Sequence, residues 1–320
     1  MPAIYGPQGI KSGHLQGEAV ELLAVACRDL IARGAEVIVP GFTEIPLVIE
    51  ALRALGLPIV DSNQAYAGHA VSDRRKGEPK PFKVGVVGGV GPAATVDFMR
   101  KIVRNTPAVR DQDHIKLIVE QNPQIPDRTA HLVGAGPDPT IALYATCKRL
   151  EAAEADLIAI PCNTAHAFIQ RIQPHLAVPI VNMLRETVLH VRQAHASCTR
   201  LGLLATTGTL DSRVYHEAFD GSGIELIEPD DDHQRRVMDA IYGAAGVKAG
   251  FTDGECRDDL LAAVGHLVER GAQAVILGCT ELPMILSQPA LEIAGNRVPL
   301  LDPTDVLARA CVALARADRS

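Results

Sequence analysis

A chain of 320 residues, of which 47% are hydrophobic and none is tryptophan, is long enough for two ordinary domains with a sizeable buried core. Its formal net charge of −7 and the absence of a basic stripe argue against nucleic acid as a partner. No apolar run is long enough to span a membrane and the first residues lack a signal-peptide pattern, so we expect a cytoplasmic protein without a membrane partner.

The N-terminal part of the chain repeats a later part. Residues 3–46 match residues 240–283 at a constant shift of 237, with 19 identities in 44 positions. Phe42 stands where the second copy has Cys279, and a phenylalanine cannot transfer protons. We interpret residues 1–70 as a degenerate partial repeat. It serves as a packing or dimerisation module, docked on the rest of the chain or on a partner subunit, or is merely a leftover.

The stretch 71–81 is polar, charged and proline-bearing, which is typical of a linker. From residue 83 onward, apolar strand-like runs alternate with amphipathic helical stretches such as 140–154 and 255–270. This alternation predicts an α/β fold with parallel sheets, in which ligands bind at the carboxyl ends of the strands. The predicted strands are 83–87, 115–120, 156–160, 179–181, 201–205, 224–227, 274–277 and 298–301.

The seven cysteines are odd in number, widely spaced and without a CxxC pair, which predicts neither a disulfide framework nor a zinc site. Two of them follow predicted strands in similar contexts: Cys162 in the segment PCNTAH and Cys279 in the segment GCTELP. The residues after each cysteine are suited to cap a new helix, whose N–H groups favour a thiolate and can hold a carboxylate. Such paired thiols could form a disulfide or flank a substrate carbon, and the lack of secretory features weakens the first alternative.

From about residue 82 to residue 317 the chain resembles the aspartate/glutamate racemase family, and most of all its aspartate-racemase branch. Six motifs occur in the family's order, which makes the resemblance specific, whereas one of them alone would be weak. The motifs are GGVGPAAT at 88–95, NPQIPDRT at 122–129, PCNTAH at 161–166, ATTGT at 205–209, YG and KAG within 242–250, and GCTELP at 278–283.

The resemblance implies two parallel-sheet α/β domains with the active site between them, which here would follow an N-terminal βα segment. We place the first domain at 82–192 with 298–320 and the second at 193–297. The resemblance also implies no pyridoxal phosphate, no other cofactor and no metal, with a small acidic amino acid as the binding partner. A symmetric homodimer is the expected assembly.

By match to the family's motifs, Cys162 and Cys279 would be the acid–base pair, and Arg128 and Lys248 would bind the side-chain carboxylate of the substrate. The α-carboxylate would be held by Asn163, Thr164 and Thr280. Inverting an α-carbon requires removing a proton from one face and returning one to the other, which a thiolate and a thiol on opposite sides can do. An ordinary thiol pKa of ~8.5 makes both forms accessible near neutrality.

Four further residues are weaker candidates. Gly91 and Thr95 belong to a tight glycine loop that could bring its backbone to the substrate. His166, four residues after Cys162, either tunes that thiol or is structural, and Glu281 either caps a helix, which we favour, or orients the site. The acidic cluster ending at His233 could suggest a metal, but a helix cap explains it better.

Two alternatives remain for the function. A related isomerase or decarboxylase of a dicarboxylic acid could use one of the cysteines as a nucleophile or sole proton donor. A non-catalytic amino-acid-binding pseudo-enzyme is the other alternative, because Phe42 shows that one copy of the loop has lost its thiol. The sequence does not separate aspartate from glutamate, since one methylene is worth only about 1–3 kcal/mol.

Overall fold

The computed structural model describes residues 1–71 and 81–317. The chain divides into two compact units, Met1–Lys80 and Pro81–Ser320. Residues 72–80 of the predicted linker lie outside the described residues. No helix in the described part of the chain is long and apolar enough to cross a membrane.

The unit Met1–Lys80 is helical and has one apolar core. Its helices are α1 (Pro2–Tyr5), α2 (Glu18–Ala32), α3 (Ile49–Ala54) and α4 (Ser62–Val71), with short 3₁₀ helices at Ile10–Ser12 and Ile45–Val48. The βα segment predicted here is reduced to an isolated parallel bridge between Ile38 and Ile59. A full strand does not form among the residues described, because the bridge has no neighbouring strand on its other side.

The unit Pro81–Ser320 contains two sheets. Its described strands are β1 (Lys83–Gly88), β2 (Lys116–Gln121), β3 (Leu157–Ala159), β4 (Ile180–Val181), β5 (Arg200–Leu204), β6 (Glu225–Ile227), β7 (Ala274–Leu277), β8 (Ala290–Ile293) and β9 (Asn296–Leu301). The first sheet has the order β2-β1-β3-β4 and is parallel throughout. The second has the order β6-β5-β7-β9-β8 and is parallel except for the hairpin β8–β9.

Helices cover the faces of both sheets, as parallel strands require. They are α5 (Pro92–Asn105), α6 (Arg128–Leu132), α7 (Thr140–Ala152), α8 (Ile169–Ile172), α9 (Met183–Ala194), α10 (Thr207–Asp211), α11 (Val214–Phe219), α12 (Asp231–Tyr242), α13 (Glu255–Glu269), α14 (Leu282–Ile285) and α15 (Pro303–Ala317). Apolar residues of α5 and α15 pack on one face of the first sheet, and those of α7 pack on the other.

All eight predicted strands are present, with ends shifted by no more than two residues. Strand β8 was not predicted. It pairs with β9 through a two-residue turn at Ala294 and Gly295, whose φ angles of 49° and 77° are both positive. Sequence usually marks such a turn with Asn-Gly or Asp-Gly, and an alanine in the first position gives no such signal.

The predicted domain boundary at residue 298 needs correction. Strand β9 pairs with β7 in the second sheet, with Leu300 opposite Val275, so residues 298–301 lie with the second sheet. Only the following helix α15 packs on the first sheet, against α5 and α9. The chain therefore leaves the second sheet at the carboxyl end of β9, after it has completed its strand pairing.

Residues one repeat apart have the same local structure. Helix α2 begins and ends 237 residues before α13. Gly13 and Gly17, with φ of 87° and 66°, correspond to Gly250 and Gly254, with φ of 100° and 74°. Glycine adopts such positive φ angles without steric cost, so the turns that precede the helix are kept in both copies. The bridge Ile38–Ile59 likewise corresponds to the pair Val275–Leu300 of β7 and β9.

The two copies differ in what covers them. Val37 and Val39 are 55% and 68% exposed, whereas Ala274 and Ile276 at the equivalent positions of β7 are fully buried. In the second sheet these positions pack among apolar residues of β5, α9 and α11. No counterpart of those three elements occurs in residues 1–71, so the first copy leaves one apolar face uncovered.

Candidate active site

One cavity is lined by cysteines from both sheets. Cys162 follows β3 of the first sheet and Cys279 follows β7 of the second, and each residue is 7% exposed. The carboxyl ends of parallel strands lie on one side of a sheet, which is where ligands bind in such folds. The cavity is narrow, with a free volume of about 10 Å³, which is room for about one water molecule.

Eight of the eleven residues predicted for the site line this cavity, and three do not. The eight are Arg128, Cys162, Asn163, Thr164, Lys248, Cys279, Thr280 and Glu281. The remaining lining residues are Val90, Thr129, Thr206 and Tyr242. Tyr242 lies within one of the motifs recognised in the sequence but was given no role, because its contact across the cleft depends on tertiary structure.

Glu281 is the centre of the polar contacts around Cys279. The Cys279 Sγ–H donates to Glu281 Oε2 over 3.1 Å, and the Thr280 hydroxyl donates to the same oxygen over 3.1 Å. The Lys248 ammonium donates to the other carboxylate oxygen, Oε1, over 2.7 Å. The favoured interpretation of Glu281 as a helix cap is wrong, because its side chain makes no capping hydrogen bond.

These contacts set the protonation of the three groups. Burial raises the pKa of the Cys279 thiol well above its ordinary value, and the neighbouring Glu281 carboxylate adds to the shift. Burial works against ionisation of Glu281, but the Lys248 ammonium and the donated hydrogen bonds outweigh it and lower the pKa of Glu281. Burial also disfavours the Lys248 cation, yet the Glu281 charge raises the pKa of Lys248 overall. Cys279 is therefore a thiol, next to an ion pair.

Arg128 lies on the other side of the cavity, beside Cys162. Its guanidinium donates to the carbonyl of Pro126 over 3.1 Å, while its buried Nε has no partner among the described residues. Burial works to lower the pKa of Arg128, but the charges of Cys162 and Asp127 raise it overall. Arg128 is thus a buried cation with an N–H donor left for a ligand.

Asn163 provides a second unpaired donor. Its Oδ1 accepts a hydrogen bond from the Tyr215 hydroxyl over 2.6 Å, while its Nδ2 is buried without a partner among the atoms the structure describes. An amide N–H that is buried and unpaired costs about 1–3 kcal/mol, so a ligand that accepts from it gains that energy back. Asn163 Nδ2 and Arg128 Nε together favour an anionic ligand in this cavity.

The helices that follow the two cysteines are short. A 3₁₀ helix, Thr164–Phe168, follows Cys162, and the four-residue α14 follows Cys279. Asn163 makes no capping hydrogen bond with its side chain. The helix N–H groups expected to act on the thiols are therefore accompanied by individual charged side chains, chiefly Glu281 and Arg128.

Hydroxyl groups join the two sheets' loops across the cavity. The Thr129 and Thr206 hydroxyls are 2.9 Å apart, and those of Thr164 and Thr209 are 2.8 Å apart. The Tyr242 hydroxyl donates to the Asp127 carboxylate over 3.3 Å, and the Tyr242 ring centroid lies 5.2 Å from Lys248 Nζ. The hydroxyl contacts join Thr129 and the Cys162 loop to the segment after β5 through polar groups that a polar ligand can rearrange.

A more open cleft on the same unit offers no comparable chemistry. It is lined by α5 and by the segments around Pro283–Pro289, without any cysteine. Its buried lysine, Lys101, pairs with Asp97 at 2.5 Å and with Asp302 at 2.6 Å. Since its central cation is already neutralised, this cleft provides weaker attraction for an anion than the cavity at Cys162 and Cys279.

Comparison with known proteins identifies the family. Residues 87–311 match the family described as Asp/Glu/Hydantoin racemase, which is more than half of the chain. The chain belongs to this racemase family. It is therefore an isomerase, with the two-domain α/β fold of that family.

Three relatives are matched by this chain over most of their own length. The "Broad specificity amino-acid racemase RacX" of Bacillus subtilis is 25% identical over 235 residues, which are 72% of this chain and 96% of that protein. The structure of the aspartate racemase of Picrophilus torridus matches with a TM-score of 0.63 and 29% identity, over 73% of this chain and 94% of that one. The glutamate racemase of Francisella tularensis, at 20% identity and a TM-score of 0.56 over 75% of this chain and 82% of that one, shares the fold.

Gly91 and Thr95 of this racemase support the cavity without lining it. The Thr95 hydroxyl accepts from Gly89 N and donates to Gly91 O, both over 3.1 Å, so it braces the loop. Gly91 has a φ of 107°, and a Cβ built on it would lie 2.6 Å from Glu281 Oε1. Only glycine leaves room for the Glu281 carboxylate at this point.

His166 also lies outside the cavity lining. Its Nδ1–H donates to the Cys162 carbonyl over 2.9 Å, and its Nε2 accepts from Met183 N over 3.0 Å. Both ring nitrogens are thus occupied, and full burial lowers the pKa of His166 to about 4. Of the two alternatives for His166, these contacts favour the structural role, because the ring joins the Cys162 loop to the start of α9.

The acidic cluster at the start of α12 caps that helix, as predicted, because Asp230 Oδ1 accepts from His233 N over 2.9 Å. His266 of α13 joins Asp230 and His233, each offering a ligand atom within 4.8 Å of the others. The two imidazole rings are stacked 4.0 Å apart at an interplanar angle of 10°. A cation lies in the plane of the imidazole that binds it, so these parallel rings do not share one ion.

We predict that His166 makes the stability of this racemase depend on pH. The unfolded chain binds a proton at this residue near pH 6.5, and the folded chain only near pH 4. The stability that depends on the neutral ring is complete above pH 6.5 and is lost as the pH falls toward 4, by up to about 3 kcal/mol. Urea unfolding across this range should show a flatter pH dependence for His166→Asn than for the unmodified chain. His14→Asn, at an exposed site, should keep the original dependence, and equal slopes for all three proteins would contradict the assignment.

Proposed function

We propose that this chain is an amino-acid racemase that inverts the α-carbon of aspartate or glutamate, with Cys162 and Cys279 as a two-base pair. The observation that carries the proposal is the single cavity lined by both cysteines and by two cations, Arg128 and Lys248. The cysteines come from different sheets, so a small molecule held between the two loops has a sulfur on either side.

The chemistry requires one thiolate and one thiol. The thiolate takes the α-proton from one face of the substrate, and the electron pair of the broken C–H bond stays on the carbon and its carboxylate. The thiol of the second cysteine then donates its proton to the opposite face. The two cysteines have exchanged protonation states at the end, and the reverse reaction uses them in the opposite order.

The charges of the cavity fit an acidic amino acid. Among the charged residues of the lining, Arg128 and Lys248 offer two cations for carboxylates, and Glu281 offers one carboxylate for an ammonium. Aspartate and glutamate carry two carboxylates and one ammonium, which sum to −1. A neutral amino acid brings only one carboxylate, so it would meet only one of these two cations.

The unpaired donors explain how the carbanion is tolerated. An α-proton is a weak acid, so the charge that develops on its removal must be stabilised by donors that are already in place. Asn163 Nδ2 and Arg128 Nε are such donors, and the hydroxyls of Thr164 and Thr206 lie at the same cavity. The side-chain carboxylate of the substrate would then be bound by Lys248, whose ammonium also donates to Glu281.

The broad-specificity relative from Bacillus subtilis gives a reason to assay more than acidic substrates. The two alternatives from the sequence also remain testable. A dicarboxylic-acid isomerase or decarboxylase would need one cysteine only. A binding protein would hold the ligand without exchanging its α-proton.

The decisive experiment is racemisation in deuterated water. Purified protein without added cofactor should convert L-aspartate or L-glutamate into a racemate, with deuterium at the α-carbon of the inverted product. Cys162→Ser and Cys279→Ser should each lower kcat by about 10²-fold or more, because each removes one of the two proton-transfer groups. Cys198→Ser is the matched control, since Cys198 is a free cysteine outside the cavity lining and should leave the rate unchanged.

Other outcomes point to the alternatives. Loss of activity in only one cysteine variant would indicate a reaction with a single essential thiol. Ligand binding without inversion or α-deuterium exchange, across aspartate, glutamate and neutral amino acids, would refute the racemase proposal for this chain.

We further propose that catalysis belongs to residues 82–317 and that the first 81 residues serve assembly or stability. The Bacillus subtilis relative is matched over 96% of its length by 72% of this chain, which supports a complete racemase without the N-terminal copy. A chain beginning at residue 82 should retain its activity but change its oligomeric state or its melting temperature. Light scattering and thermal unfolding would measure both, and a truncated racemase identical to the full chain in both would refute the assembly role.

A further inference from the structure

The two cysteines of the proposed reaction have unequal surroundings. Cys279 Sγ lies 3.1 Å from the carboxylate oxygen Oε2 of Glu281 and donates to it, so this sulfur carries its proton. Cys162 lines the cavity together with Arg128, whose pKa it helps to raise. Glu281 is the only carboxylate among the residues that line the cavity, and it belongs to the Cys279 loop.

Building on the proposed two-cysteine function, we infer that Glu281 is a positioning residue that keeps Cys279 as the thiol of the free enzyme, which in a two-base reaction leaves the role of base to Cys162. A two-base reaction stops when both sulfurs are protonated and also when both are ionised. Burial is the largest cause that raises the pKa of Cys279, and the charge of the Glu281 carboxylate is the next. The Glu281 carboxylate contacts the sulfur of Cys279 directly, so its charge favours the protonated form of this cysteine.

The other charged and titratable groups around Cys279 do not cancel the effect of Glu281. Lys248 favours the thiolate of Cys279, but its ammonium is directed to Glu281 Oε1 over 2.7 Å. The phenols of Tyr215 and Tyr242 face the same sulfur, and burial raises the pKa of both, so they stay neutral. The carboxylate therefore supplies the negative charge that opposes ionisation of Cys279.

Glu281 is held in place from three sides. Its carboxylate accepts from Thr280 and from Lys248 in addition to Cys279. The backbone of Gly91, from the first sheet's loop, approaches so closely that a Cβ there would come within 2.6 Å of Oε1. Because the carboxylate is fixed in this way, its distance from the Cys279 sulfur, and hence its effect on the protonation of that thiol, stays constant.

The inference concerns protonation and not the direction of the reaction. The two enantiomers have equal free energy, so kcat/KM must be the same in both directions for every variant. The informative readouts are therefore the reactivity of each thiol in the free enzyme and the pH profile of kcat/KM. The high-pH limb of that profile reports the group that must stay protonated, which is Cys279 in this assignment.

The first test is alkylation of the ligand-free full chain with iodoacetamide across a pH series, followed by mass spectrometry of the Cys162 and Cys279 peptides. Only the thiolate reacts appreciably. In the unmodified protein Cys162 should react faster than Cys279 near neutral pH. Glu281→Gln should speed the reaction of Cys279 by about tenfold or more, which is one unit of thiol pKa, and leave Cys162 unchanged.

Two further variants separate charge from packing. Glu281→Asp keeps the charge but shortens the side chain, and Glu281→Gln keeps the shape but removes the charge. The inference predicts that Asp preserves the slow reaction of Cys279 better than Gln, whereas a packing role predicts the reverse order. Lys248→Met should slow the alkylation of Cys279, which is the opposite of the effect of Glu281→Gln, because Lys248 favours the thiolate.

The N-terminal copy provides the matched control. Glu44 pairs with Lys11 over 3.1 Å and accepts from the Thr43 hydroxyl over 3.3 Å, as Glu281 does with Lys248 and Thr280, but Phe42 stands in place of the cysteine. Glu44→Gln removes the same kind of ion pair without a thiol beside it. It should change neither the alkylation of Cys279 nor the pH profile.

The outcomes distinguish this inference from the proposed function. In Glu281→Gln the high-pH limb of kcat/KM should move to lower pH by about one unit, because Cys279 then ionises more easily. If the unmodified protein racemises its substrate but Glu281→Gln changes neither that limb nor the alkylation of Cys279, the role of Glu281 is overturned and the racemase proposal stands. If the unmodified protein does not racemise, the proposed function fails, and the alkylation series still decides the state of Cys279.

Discussion

The buried carboxylate of Glu281 is the constraint on which the rest of the site depends. A carboxylate that is 4% exposed cannot remain ionised without a cation and several donors close by. Lys248 supplies the cation, and the Cys279 thiol and the Thr280 hydroxyl donate further hydrogen bonds to the carboxylate. Cys279, Thr280 and Lys248 thus all donate to one side chain, and Gly91 leaves room for it.

The contacts between the two sheets' loops are polar, and this has consequences for access. Threonine hydroxyls, a tyrosine hydroxyl and a carboxylate bridge the two sides, with the shortest separation between Thr164 and Thr209. Groups of this kind can exchange partners with water or substrate at little net cost, whereas an apolar interface would resist separation. The cavity is consequently closed around its cysteines by interactions that a charged amino acid is able to replace.

The N-terminal copy shows which features belong to the repeat and which belong to the site. Both copies keep the Lys–Glu ion pair and the lysine beside a tyrosine ring: Lys11 Nζ lies 4.6 Å from the Tyr5 ring centroid. The ion pair is thus part of the local fold, independent of any thiol. What differs is the environment, because the Glu44 side chain is 24% exposed and that of Glu281 is 6% exposed. The same local sequence has little electrostatic influence near water and a large one when buried.

The sequence by itself determined the α/β fold, the strands that end at Cys162 and Cys279, and most of the residues that line the cavity. These depend on periodicity and on motifs a few residues long, which are local in the chain. It did not reveal β8, whose turn lacks the usual residues, or the exact end of the second sheet.

Only the tertiary structure decided how the polar side chains pair. Glu281 was expected to cap a helix and instead contacts Cys279 and Lys248, while His166 was a candidate for tuning Cys162 and is occupied by backbone groups. Thr129 and Tyr242 have partners 77 and 115 residues away. Burial and contacts between distant segments set these interactions, and neither can be read from the residues adjacent in the chain.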